Sequence, residues 1–281
     1  MNKLLVPVDF SSNSTKAVLY AAEIANKNGA TVCLFHVMEP GDVSEASSEE
    51  ASDFMEEEAP VDEQSSLQMI RESLLKLYPG LHVESHLKSG SVTNSILEFT
   101  DQNGIDLIVM GTQGATGLKE LLWGSITSSV LLRSKVPLLA IPAAYEMKEP
   151  STILFGTNHF EWRDQLLEHL LSFARLFDAQ IHVSVFVDSD TADGAEYIDQ
   201  GRHLNQYVDR LSKSHPDISF RAALLSGSKF EPELESYIQK QAVDLIALVH
   251  YPKSKWELFL QKSTSKAIAA HSMTPVLILP A

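Results

Sequence analysis

A single cysteine stands among 281 residues. Cys33 can form no internal disulfide, so the fold does not depend on oxidation and a reducing compartment suits it. Basic side chains are scarce too, with 22 against 37 acidic ones and a net charge of −15. Affinity for nucleic acid comes largely from Lys and Arg neutralising phosphates, so no nucleic-acid partner is expected. No stretch approaches the ~20 apolar residues of a membrane span. The opening MNKLLVPVDF is too short an apolar run for a secretory signal, and Asp9 interrupts it. A cytoplasmic chain without membrane attachment is the expectation. Three catalytic signatures are missing as well. Without G-x4-G-K-[ST] there is no P-loop, and without G-x-G-x-x-G after the first strand a dinucleotide fold is not expected. Without G-x-S-x-G a serine hydrolase has no nucleophile.

What is present is an ordinary globular composition, 44% apolar and 21% charged, over a length that suits two domains. Short apolar strands alternate with helical stretches: Leu4–Val8, then a helix capped within Ser11–Ser14 and stopped at Asn28-Gly29, then Thr31–Val37. The alternation continues through a helix over Asp62–Tyr78, strands at Leu81–Leu87 and Ile105–Gly111, and a last strand at Pro137–Ile141. Such a pattern predicts an α/β fold, a parallel sheet with helices on both faces. From residue 151 it starts again. ILFGTN (153–158) answers LLVPVD (4–9), VDLIALV (243–249) answers IDLIVMG (105–111), and SMTPVLILP (272–280) answers SKVPLLAIP (134–142). An internal duplication of roughly 140 residues follows. The domains expected are 1–144 and 152–281, joined by a linker at 145–151.

The chemistry concentrates in GTQGATGLKELLWGSIT, residues 111–127. Gly111, Gly114, Gly124 and Ser125 form G-x2-G-x9-G-S, with Gly111 ending a strand and Ser125 opening a helix. Glycines let backbone N–H groups approach an anion closely, and a helix N-terminus adds unpaired donors and a favourable dipole. Ser125 and Thr127 supply hydroxyls. Open α/β sheets bind ligands outside the carboxyl ends of their strands, which is where this segment falls.

With these residues the chain resembles the universal stress protein family in its tandem two-domain form. The family's ATP-binding members carry G-x2-G-x9-G-[ST], and its opening strand stands here as Val6-Pro7-Val8-Asp9 followed by Ser11, its second as His36-Val37. The resemblance implies two doubly wound domains, each a five-stranded parallel sheet of order 3-2-1-4-5. It also implies ATP, with Mg or Mn as the accompanying cation, bound in the first domain. Adenine would lie near Asp9 and Val37, beside Pro7, Val8 and Ser11. Ribose and phosphates would lie over Met110, Gly111, Gly114, Gly124, Ser125, Ile126 and Thr127. The family's fifth strands pair, so Leu138–Ile141 is expected against Val276–Leu279 in an intramolecular pseudo-dimer. A homodimer and an unidentified protein partner are compatible with that arrangement. Binding is expected rather than turnover, with at most slow ATP hydrolysis, because no general base beyond Asp9 is found. The competing reading is a nucleotide-independent interaction scaffold.

The second half departs from the pattern. In ungapped register Val249 faces Gly111, Pro252 faces Gly114, Lys262 faces Gly124, and Asn158 replaces Asp9. Only the hydroxyls of Ser263 and Ser265 persist. A nucleotide held there in the same way is not expected. Simpler roles are expected for several other residues. Asp9 can cap the helix after it, Lys119 stays solvated, His36 packs at a strand end, and Cys33 is core. His82 and His86 point the same way along one strand, but no third ligand stands at a recognisable spacing, so no zinc site is expected.

The acidity is local. Eleven acidic side chains and no Lys or Arg lie between Glu39 and Glu63, and without them 26 acidic residues face 22 basic ones. This insert reads as a solubilising loop or as a lid beside the nucleotide mouth, since the second strand ends at Val37.

Overall fold

The computed structural model describes residues 1–38, 62–112, 124–157, 160, 162, 164–250 and 274–281. The acidic insert, Gly114, Lys119, Asn158 and the residues matching the phosphate loop in the second half lie outside these residues, except for Glu63, Asp62 and Val249. In the first half the elements run β1 (Lys3–Pro7), α1 (Ser12–Asn28), β2 (Thr31–Met38), α2 (Glu63–Leu77), β3 (His82–Ser89), α3 (Val92–Gln102), β4 (Leu107–Gly111), α4 (Ser125–Arg133) and β5 (Leu138–Ile141). In the second they run β6 (Thr152–Gly156), α5 (Asp164–Phe177), β7 (Gln180–Asp188), α6 (Gly194–Ser214), β8 (Phe220–Gly227), α7 (Phe230–Gln241), β9 (Leu245–His250) and β10 (Val276–Pro280).

Local chemistry sets the ends of α1. The Ser11 hydroxyl accepts from the Ser14 N–H at 3.1 Å. At the other end Gly29 takes the left-handed conformation, φ 72°, and its N–H donates to Ala25 at 2.8 Å. The fourth strand starts two residues later than its apolar run suggests. Asp106 stands just before it, its N–H donating to the Lys3 carbonyl and its carboxylate accepting from the Asn2 and Lys3 N–H groups.

The strands form one sheet of order β3-β2-β1-β4-β5-β10-β9-β6-β7-β8. Each half has the expected order 3-2-1-4-5 with parallel pairing. The two meet where β5 and β10 run antiparallel, Ala140 facing Val276, Leu139 facing Leu277 and Leu138 facing Ile278. Alternation along the strands divides the core in two. Leu4 and Val6 pack under α1 and α2, in one cluster with Leu167 and Leu171 of α5. Leu5, Cys33 and Phe35 face the other way, toward Ile96 of α3 and Val130 of α4. Both faces are covered, as a parallel sheet requires.

Candidate functional site

The carboxyl ends of β2, β1 and β4 lie side by side in the sheet of the first half, and the start of α4 is bonded to the end of β4. The strand order reverses between β1 and β4, and that reversal is where a crevice forms in doubly wound sheets.

From β1 the chain passes Pro7 and Val8 into a tight turn. The Val8 N–H donates to the Phe35 carbonyl at 2.9 Å. Its own carbonyl lies 2.7 Å from His36 Nδ1, and a carbonyl can only accept, so Nδ1 carries the proton. His36 Nε2 is buried and 3.6 Å from Glu63 Oε1, beyond hydrogen-bond reach. Asp9 is exposed, and its Oδ1 accepts from the Ser11 N–H at 3.0 Å and the Ser11 hydroxyl at 2.6 Å. Asp9 therefore orients Ser11, and Ser11, not Asp9, is the N-cap of α1.

From β4, Met110 is buried beside Ala140 of β5, and Gly111 pairs with Ile141. Gly111 is packed against α1, where an added Cβ would stand 2.6 Å from Asn13 Nδ2. The Thr112 carbonyl accepts from the Gly124 N–H at 2.6 Å, so the chain returns to β4 before α4 begins. Gly124 is the N-cap of α4, Ser125 is exposed at its first position, and Ile126 packs toward the α3 side of the core. Thr127 is buried and donates its hydroxyl to the Gly111 carbonyl at 2.9 Å. That hydroxyl thus ties α4 to β4 instead of facing outward.

Of the residues singled out in the sequence, Pro7, Val8, Asp9, Ser11, Met110, Gly111, Gly124, Ser125, Ile126 and Thr127 gather around this edge. Val37 is near the end of β2, buried at the same edge. Two others belong to the edge without having been singled out for it. Phe10 takes φ 60°, unusual for an aromatic residue, is 37% exposed, and sets its ring 4.6 Å from His36. Asn13 locks the contact between α1 and β4. An apolar Phe inside the polar run Asp9–Ser14 was the available signal for the first; nothing in the sequence marks the second.

Among the described residues, no helix is long and apolar enough to cross a membrane.

The chain is similar to several known proteins. A universal stress protein of Methanocaldococcus jannaschii is 31% identical over 143 residues, covering 50% of this chain and 81% of that one. A universal stress protein of Mycolicibacterium smegmatis is 23% identical along 98% of this chain and 96% of its own. Among solved structures, a universal stress protein from Archaeoglobus fulgidus superposes with a TM-score of 0.66 at 17% identity, covering 99% of this chain and 96% of that one. The family model for the universal stress protein family matches residues 1–142, and the chain belongs to that family.

Proposed function

We propose that residues 1–144 bind ATP with a divalent cation, Mg or Mn, and that residues 152–281 serve as a structural or interaction partner in a stress-response regulator. The observation that supports this reading is that Gly124 and Ser125, at the start of α4, are joined to the end of β4 at Gly111 by the Gly124 N–H to Thr112 carbonyl bond, where the strand order reverses between β4 and β1. The first N–H groups of a helix have no partner within it, and α4 offers its own at Ser125 and Ile126 behind a glycine cap. Val8, Val37 and Phe10 supply an apolar flank for a base, and Asp9 a carboxylate at its edge. Thr127 acts through Gly111, fixing the carbonyl so that the neighbouring backbone keeps its direction. The cation would arrive with the phosphates. The role proposed is binding and signalling rather than turnover. The second half keeps the scaffold but has lost the glycine pattern, consistent with a partner's role.

The test is to denature the purified protein and assay the released adenine nucleotide, then to follow thermal unfolding with millimolar Mg-ATP. At one hundred times Kd, ligand stabilises the fold by about 2.7 kcal/mol, a readily measured shift. Gly124→Val should abolish it by setting a branched side chain at the mouth of α4. Absence of both co-purified nucleotide and thermal shift in the unaltered protein would favour the nucleotide-independent scaffold.

A further inference from the structure

The amino-terminal portions of the same strands hold a second constellation, away from the edge just described. In the β2–β3 register Cys33 faces Glu84, and Phe35 faces His86. Residues two apart on a strand share a face, so three potential ligands from two strands meet on the side covered by α3. Glu84 Oε2 is the centre of the group. It lies 3.6 Å from Cys33 Sγ, 3.3 Å from His86 Nε2 and 3.0 Å from Lys3 Nζ. The three ligand atoms of Cys33, Glu84 and His86 all fall within 4.8 Å of one another. The His86 ring rests 4.8 Å from that of Phe99 in α3, which limits its rotation.

We propose that Cys33, Glu84 and His86 form a site for a thiophilic divalent cation of the zinc class. A tetrahedral ion with metal–sulfur bonds of about 2.3 Å and metal–nitrogen or metal–oxygen bonds of about 2.0 Å separates neighbouring ligands by roughly 3.5 Å for S···O and 3.3 Å for N···O. The two separations at Glu84 already match those edges. The mixed thiol, imidazole and carboxylate set favours a borderline-soft ion over magnesium or calcium. Lys3 presently supplies the positive charge beside Glu84, and an arriving ion would take its place. Burial pushes the Cys33 thiol up to about 12, Glu84 adding to the effect and Lys3 opposing it. The free site thus holds a protonated thiol, and its proton passes to solvent as the metal–sulfur bond forms. No redox step is involved.

The second half provides an internal contrast. His182 faces Leu154 as Cys33 faces Leu5, but its neighbour on β8 is Arg221, and Ala223 stands where His86 would. A guanidinium in place of the Glu84 carboxylate repels a cation. The proposed site therefore belongs to the first half alone.

Because Cys33 is the only cysteine, a thiolate-to-metal absorption band can arise from no other residue. The full-length protein, kept reduced with a phosphine, would be titrated with Co2+ alone. The expected result is a near-ultraviolet charge-transfer band with the visible absorption of tetrahedral cobalt, saturating at one ion per chain and displaced by Zn2+. Cys33→Ser should lose the band. Glu84→Gln, at an exposed position, and His86→Ala, at a half-buried one, should each weaken binding about tenfold or more. Lys3→Met should tighten it by releasing Glu84. A protein that shows no band with millimolar Co2+, or a band whose midpoint is unchanged in both Glu84→Gln and His86→Ala, would overturn the site. Unchanged or weaker binding by a folded Lys3→Met protein would also count against Glu84 as a ligand.

Discussion

A methyl group added at Gly111 would stand 2.6 Å from Asn13 Nδ2 and 3.1 Å from the Asn13 backbone carbon. Asn13 is itself buried, so the amide cannot swing freely aside. Gly111→Ala should therefore cost about 1–3 kcal/mol through overpacking where α1 meets β4. Urea denaturation without nucleotide would measure it, and a midpoint equal to that of the unaltered protein would remove packing as a reason for this glycine. The sequence pattern singled out Gly111 for closeness to an anion. The contact with Asn13 adds a second reason, invisible in sequence because Asn13 is nearly one hundred positions away. The same limit applies at Thr127, whose spacing suggested an outward hydroxyl but whose partner is the Gly111 carbonyl. It applies again at Cys33. Alternation with apolar neighbours made it core, and buried it is. Only the register of β2 against β3 brings Glu84 and His86 beside it.

At the scale of the elements, one device repeats. Each half places an aspartate just before its fourth strand and uses it to gather the start of its first. Asp106 does so with the N–H groups of Asn2 and Lys3. Asp244, buried to 4% exposure, accepts from the Ser151 N–H at 2.8 Å, the Ser151 hydroxyl at 2.7 Å and the Thr152 N–H at 3.1 Å, and pairs with Lys148. The repeated IDLIVMG and VDLIALV segments carried the aspartate in plain view, but their apolar runs spoke only for the strands. Burial by itself would raise the Asp244 carboxyl. The hydrogen bonds and charge of Lys148 and Ser151 outweigh it and hold the group below its ordinary value. A depressed folded value means that this stabilisation is complete above the unfolded carboxyl value, near pH 4, and is lost as pH falls through the folded one. Asp244→Asn should thus lower stability by about 2–3 kcal/mol at pH 7, because a carboxylate with charge-assisted bonds is replaced by a neutral amide. The gap between the two proteins should narrow in denaturation curves taken at pH 3. An equal gap at pH 7 and pH 3 would mean that charge at this position contributes nothing.

At the scale of the whole molecule, the described strands form one ten-stranded sheet whose centre is the antiparallel junction of β5 and β10. The likeness of SKVPLLAIP to SMTPVLILP made that pairing legible, since two apolar fifth strands need cover for their edges. The linker was less legible, having neither periodicity nor motif, yet it is fastened along its length. Tyr145 is buried with its ring 5.8 Å from that of Tyr20, and its hydroxyl donates to the Lys148 carbonyl at 2.8 Å. Lys16 donates to the carbonyls of Ala143 and Tyr145, and Lys27 pairs with Glu149 at 2.8 Å. If the linker is only a tether, cutting it should release the halves. If the sheet holds them, it should not. Leu138–Ile141 are buried at all four positions, as are Val276–Leu279, so separation would expose two apolar strand edges to water. A protease site inserted between the exposed Glu146 and Met147 should therefore yield two fragments that still elute together at the position of the uncut protein and part only in denaturant. Two separate peaks in native buffer would show that covalent connection, and not the β5–β10 junction with its flanking α1 and α5, keeps the halves in one sheet.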